Sequence, residues 1–197
     1  MIPALPVHVD SPMGIEATDI YCRHPEEHDF AMAQLSDKET CPITSRHLVV
    51  HRTPEESKSI NHLKGPLIII SASGMATGGR VLHHLKHRLP NPDTTVLLPG
   101  YQATGTRGRL LQDGAKEIKM LGEMIPVRAR IKTLDGFSAH ADQGEILRWL
   151  GYFATAPRKT YIVHGEQAGA TALADVIRER LKWPVEIAKF QQIVTLA

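Results

Sequence analysis

With 197 residues, 42% of them hydrophobic and 22% charged, the chain is long enough to bury a core and too apolar to stay disordered. Nothing approaches the ~18 apolar residues of a membrane helix, and Met1 to Pro6 lack the basic and long apolar stretches of a signal peptide, so a soluble cytoplasmic protein without membrane contact is expected. The net charge of +2 excludes little, but its distribution is uneven: residues 1–60 carry ten acids and five bases, residues 80–132 four acids and ten bases.

That basic middle suits a polyanion such as nucleic acid; it is equally the solvated face of an ordinary enzyme. Cys22 and Cys41 form no C-x-x-C pair and are expected to be reduced thiols rather than a staple or a metal site.

Pro6 to Asp10 reads as a short strand, and Ser11-Pro12 starts a helix, with the serine as N-cap and the proline at the first helical position. Pro25 breaks that helix, and a second helical piece runs to about Leu35. Residues 36–46 form a polar loop, His47 to His51 a strand, and Thr53-Pro54-Glu55-Glu56 a helix start with acids where the macrodipole favours them. The continuous apolar run Pro66 to Ile70 predicts a strand buried on both faces. A helix over 78–89, a strand over 94–98 and a short helix around 107–112 follow. This alternation implies right-handed crossovers and a parallel sheet, with ligands at the carboxyl ends of the strands. Three loops then share one rim: Asp10-Ser11, Ser71 to Gly79, and Gly100 to Gly105.

From about residue 120 the pattern changes. Val127 to Leu134 alternates small or apolar with basic residues, as a half-exposed strand does. A helix over 142–153, a strand over 160–164, a helix over 168–182 and strands near 185–189 and 192–196 complete the expected order.

The loop Ser71-Ala72-Ser73-Gly74-Met75-Ala76-Thr77-Gly78-Gly79-Arg80 joins a strand to a helix. Ser71, Ser73, Gly74, Thr77, Gly78 and Gly79 let backbone N–H groups approach an anion, and Arg80 could reach the same anion. It matches neither the P-loop nor the nucleophile-elbow pattern, and a tight turn needing glycine only for its geometry is the alternative. In Tyr101 to Arg109, the two arginines Arg107 and Arg109 near a helix start are suited to phosphate or sugar contact.

His140 stands in Gly136-Phe137-Ser138-Ala139-His140-Ala141-Asp142, free to exchange protons near neutral pH, with Asp142 able to cap the next helix. His164 ends an apolar strand in Val163-His164-Gly165-Glu166, where a lone histidine is either structural or a metal ligand. His83 and His87 share a helix face but have no evident third ligand, so a solvated or RNA-facing helix is the better account of them.

As a set and in this order, Val9 to Met13, Ile69 to Arg80, Gly100-Tyr101-Gln102, Gly136 to Asp142 and Val163 to Glu166 resemble the β-CASP branch of the metallo-β-lactamase superfamily, which are RNA-processing nucleases. The resemblance covers nearly the whole chain. It implies an α/β chain: a parallel-sheet, Rossmann-like β-CASP portion over residues 1–118, then a smaller α/β segment over 119–197 that completes a metallo-β-lactamase fold and is called the RNA-specificity segment. His140 corresponds to the proton donor and His164 to a zinc ligand of a two-zinc centre. Ser138, Asp142 and Glu166 would stand behind them. Ser71, Ser73, Gly74, Thr77, Gly78, Gly79, Arg80, Gln102 and Arg107 would meet RNA.

The chain departs from the family pattern in lacking the amino-terminal lactamase half with its H-x-H-x-D-H cluster. The zinc site is therefore expected to be incomplete and hydrolysis by the chain alone absent. Apolar sheet surface in residues 120–197 is expected to take up the missing half, a partner subunit or a second copy. Competing readings are a non-catalytic RNA-binding scaffold and a small-molecule phosphate-binding α/β enzyme.

Overall fold

The computed structural model describes residues 4–34, 35, 41, 43, 47–134, 136 and 140–195, and it divides into two compact units, Met1–Phe137 and Ser138–Ala197. It is a mixed α/β structure with parallel sheets. Among the described residues, no helix is long and apolar enough to cross a membrane.

In the first unit, β1 (Val7–Val9) leads into α1 (Pro12–Arg23), capped by Ser11 Oγ, which accepts from Gly14 N at 3.1 Å. A single 3-10 turn at Pro25–Glu27 separates it from α2 (Phe30–Leu35). Next come β2 (Leu48–Val50), α3 (Pro54–Ser59) behind a complete Thr53/Glu56 capping box, and β3 (Ile68–Ile70). The strands pair in parallel in the order β2-β1-β3. The chain thus leaves β1 to one side for β2 and returns to the other side for β3. This reversal opens a crevice at the carboxyl ends of β1 and β3, where open α/β sheets bind ligands.

The helix α4 (Val81–Arg88), β4 (Thr95–Leu98) and α5 (Arg107–Gln112) follow. An antiparallel hairpin, β5 (Glu117–Met120) with β6 (Glu123–Pro126), precedes β7 (Arg130–Thr133), which pairs in parallel with β4. One core joins them: Leu82, Leu85 and Leu89 of the α4 region, Leu111 of α5, and Ile118, Met120 and Ile125 of the hairpin.

The second unit holds α6 (Gln143–Leu150), β8 (Thr160–Ile162), α7 (Gln167–Leu181) and β9 (Val185–Ile187), with β8 and β9 parallel. Its core is Leu150, Ile177 and Trp183. Trp149 and Tyr152 (62% and 81% exposed) and Phe190 and Ile193 (94% and 95%) stand in solvent.

The structure corrects several expectations. Ile68 and Ile70 are 44% and 52% exposed rather than buried on both faces, because β3 is an edge strand of the sheet β2-β1-β3. The helix expected from residue 78 begins at Val81, since Gly79 holds φ +76, which no helical residue adopts. No strand forms over Gln192–Thr195. Cys22 and Cys41 are disulfide-bonded, with Cα atoms 5.4 Å apart, and so are not free thiols. The end of α1 brings Cys22 to the segment after α2, a proximity that spacing alone does not reveal.

Candidate functional site

The rim of the first unit is built around one buried carboxylate. Asp10, at the end of β1, is fully buried. Its Oδ2 accepts from Ser57 Oγ at 2.6 Å and lies 2.6 Å from His84 Nε2, while its Oδ1 accepts from Arg80 Nη1 at 2.7 Å. Burial pushes the Asp10 carboxyl up, but the hydrogen bonds from Ser57, His84 and Arg80 outweigh it and hold the group below its ordinary range. Arg80 also donates to the carbonyls of His51 at 2.9 Å and Arg52 at 2.8 Å. Its guanidinium therefore clamps β1, the segment after β2 and the start of α4, and acts on the rim from beneath.

The predicted loops do meet. Ser71 Oγ donates to the Asp10 carbonyl at 3.0 Å, tying the ends of β1 and β3. Ser73 holds φ +71, its Oγ lies 3.1 Å from Thr77 Oγ1 and accepts from Gly78 N at 3.3 Å, and its carbonyl accepts from Ala76 N. Gly74, Thr77 and Gly79 are exposed on this compact turn. Arg107 Nη1 donates to the carbonyls of Ala76 at 3.4 Å and Thr77 at 3.3 Å, and its Nε to Lys119. Gly108 N donates to the Met75 carbonyl at 2.9 Å. Gln102 is only 3% exposed and packs beneath the junction, with Nε2 donating to the Gly100 carbonyl. Gln102, Arg80 and Arg107 thus shape the rim, and Ser73, Gly74, Thr77 and Gly79 form its open surface.

Two buried histidines make this support acid-sensitive. His8 Nδ1 lies 2.9 Å from His51 Nε2, so one ring donates and the other accepts. Burial first, then His51 and Arg88, lower the His8 pKa below its ordinary 6.5. Burial also lowers His84, against the upward pull of Asp10 and with Arg88 and His83 adding to the lowering. As pH falls below about 6.5, the unfolded histidines take up protons that the folded ones resist, so folding stability decreases. Asp10 adds a second loss at lower pH, because its contribution, present above 3.8, disappears as pH falls through its depressed folded value. The urea midpoint should be level above about pH 7 and decline from there to about pH 5. A midpoint that stays level over that interval would contradict the buried-histidine account.

In the second unit, Asp142 caps α6 as predicted. Its Oδ1 accepts from Glu145 N at 2.8 Å, and Glu145 Oε2 accepts from Asp142 N at 2.9 Å. Such a cap contributes about 1 kcal/mol and fixes the segment that carries exposed His140. Ser138 lies outside the described residues. His164 is exposed just past β8, at φ +65, a left-handed conformation uncommon outside glycine. Gly165 continues the turn at φ +109, and Glu166 is the N-cap residue of α7.

Among the described residues, no group of three His, Cys, Asp or Glu side chains could hold a metal ion. Catalytic zinc takes three protein ligands and structural zinc four. His164 alone does not fit a zinc ion, and no metal-dependent step follows from these residues.

Sequence reasoning missed the carboxylate at the centre of the rim. The Asp10-Ser11 loop is expected on the rim, but the carboxylate's central place is hidden because its partners Ser57, Arg80 and His84 lie 47, 70 and 74 residues away. The usable signal is an acid closing an apolar strand, where burial requires partners.

The Beta-Casp domain model matches residues 1–111, and the model of the Zn-dependent metallo-hydrolase RNA specificity domain matches residues 124–188. Ribonuclease TTHA0252 of Thermus thermophilus is 35% identical over 193 residues, covering 96% of this chain and 43% of that protein. Transcription termination factor FttA of Methanocaldococcus jannaschii is 32% identical over 183 residues, covering 90% of this chain and 29% of the relative. An RNase J-like protein of the same organism is 33% identical, covering 91% and 40% respectively. The chain spans less than half the length of these curated relatives.

Proposed function

Because the chain belongs to the β-CASP family of metallo-β-lactamase-fold nucleases, we propose that it is the RNA-binding and active-site-completing portion of a zinc-dependent ribonuclease, inactive alone. The observation that carries this reading is the succession of the β-CASP and RNA-specificity segments in one chain, aligned over 96% of its length with a ribonuclease of which it spans 43%. Residues 1–118 serve as the RNA clamp and 119–197 as the returning lactamase segment. His140 gives a proton to the leaving oxygen of the cleaved phosphodiester, and His164 adds one imidazole to the two-zinc centre of the complete enzyme. Asp142 positions the His140 segment through its cap; supporting roles for the two histidines are assigned to Ser138 and Glu166. Exposed Trp149, Tyr152, Phe190 and Ile193 provide apolar surface for the lactamase half or a second copy.

The test is complementation. The purified chain is mixed with zinc and a separately expressed lactamase half, and cleavage of single-stranded RNA is followed. Cleavage is expected only in the mixture, and His140→Ala should reduce it about 10²- to 10⁴-fold. Restored cleavage indifferent to His140→Ala removes the donor assignment. RNA binding without restored cleavage favours a second reading, a non-catalytic RNA-binding scaffold.

A further inference from the structure

The basic residues between 80 and 132 separate into two classes. Arg80 and Lys86 pair with Asp10 and Glu123, Arg109 pairs with Asp113, and Arg88 and Arg107 donate to backbone carbonyls. These are supports. Lys116, Lys119, Arg128, Arg130 and Lys132 are different: all are exposed, and none has an ion-pair partner among the described residues; the last three stand at alternate positions of one short segment.

The strand pattern puts Arg130 and Lys132 in one row. Ile131, between them, packs against the core together with Val96, so the alternate positions 130 and 132 of β7 face the other way, and exposed Arg128 lies just before the strand, where its N–H and that of Ala129 both donate to the Leu89 carbonyl. Register sets Arg130 beside Thr95 and Lys132 beside Leu97. Arg130 Nε donates to Thr95 Oγ1 at 3.3 Å, which steadies one of the three cations. Leu97 is 50% exposed in the same row, and neither β4 nor β7 contains an acid. Lys116, also exposed, accepts through its carbonyl from Val127 N and so adds a base near the Arg128 end.

We infer that the exposed face of β4 and β7 is a phosphate track for single-stranded nucleic acid, with Arg130 and Lys132 meeting successive phosphates and Arg128, just before the strand, meeting a further one. Same-face residues on a strand lie about 6.6 Å apart, close to the separation of successive phosphates in an extended single strand. Leu97 gives a base an apolar surface beside the track. This rests on the RNA-binding reading above and adds to it a surface distinct from the glycine-rich rim.

The test is fluorescence anisotropy of a labelled oligouridylate over a salt series, with the full chain. Each phosphate contact contributes a slope of about −0.7 in log K against log salt for single strands. The triple variant Arg128→Gln/Arg130→Gln/Lys132→Gln should flatten the slope by about 2 and weaken binding at least about tenfold at low salt. Lys132→Gln alone should flatten it by about 0.7. The control Lys58→Gln/Lys64→Gln/Arg180→Gln removes the same charge at other exposed positions and should bind nearly as the parent does. If the parent binds and the triple variant binds with the same slope, the track is overturned and the RNA reading stands. A control that loses as much as the triple variant also overturns the track, leaving only net charge. If the parent shows no salt-dependent binding, the RNA reading fails and the track with it.

Discussion

Asp10→Ala should destabilise the first unit by about 3–5 kcal/mol, the usual cost of removing one partner from a buried charge cluster. The carboxylate is wholly buried and receives Ser57, His84 and Arg80. Its loss strands a hydroxyl, an imidazole nitrogen and part of a guanidinium that is itself only 22% exposed, and each then bears desolvation without compensation. Ser57→Ala removes a single hydrogen bond to the charged group and should cost less, about 1.5–3 kcal/mol. Far-UV circular dichroism in a urea series is the suitable measurement, because Trp149 and Trp183 both belong to the second unit and fluorescence would not follow the first. A loss under about 1 kcal/mol for Asp10→Ala would mean that the cluster relaxes or admits water, and the account of the rim as a preorganised support would fall. Because Arg80, at the end of the glycine-rich loop, ties Asp10 to the His51–Arg52 segment, the same substitution should loosen that loop and, on the proposed function, weaken RNA binding.

What the sequence made legible was local. Ser11-Pro12 and Thr53-Pro54-Glu55-Glu56 announce their helices because a cap lies within three residues of its donor. Asp142 could be read the same way. Parallel pairing and the shared rim followed from alternating strands and helices, with no contact known in advance. The β5–β6 hairpin was not visible: it turns on Leu121-Gly122 at φ +49 and +86, and leucine in a left-handed turn position is not a hairpin signal in the way asparagine is. The exposure of Ile68 and Ile70 was hidden too, since an apolar run does not say whether both faces of its strand are covered. His140 and His164 stand out in the sequence only through their motifs, and the structure adds where they lie: both are exposed, His164 in a left-handed turn just past β8.

Gly108→Ala tests how the two rim loops are held together, and it should run against helix propensity. Alanine within a helix is ordinarily favoured over glycine by about 1 kcal/mol, and Gly108 lies in α5. Here an added Cβ would stand 1.7 Å from Gln102 Oε1 and 3.1 Å from Met75 Cα. Gln102 is buried at 3% exposure, and Met75 is held by the hydrogen bond from Gly108 N to its carbonyl. The methyl must therefore displace a buried amide and push the glycine-rich loop away from α5. The expected loss is about 1–3 kcal/mol, typical of overpacking, and, on the proposed function, RNA binding weakens as Ser73, Gly74 and Thr77 move with that loop. Gln102→Ala removes the nearest obstacle. The double variant should then lose less than the sum of the two single losses, by at least about 0.5 kcal/mol. Strict additivity, or a stabilised Gly108→Ala protein, would show that Gln102 swings aside freely and that the close approach of Gly108 to Met75 does not hold the rim.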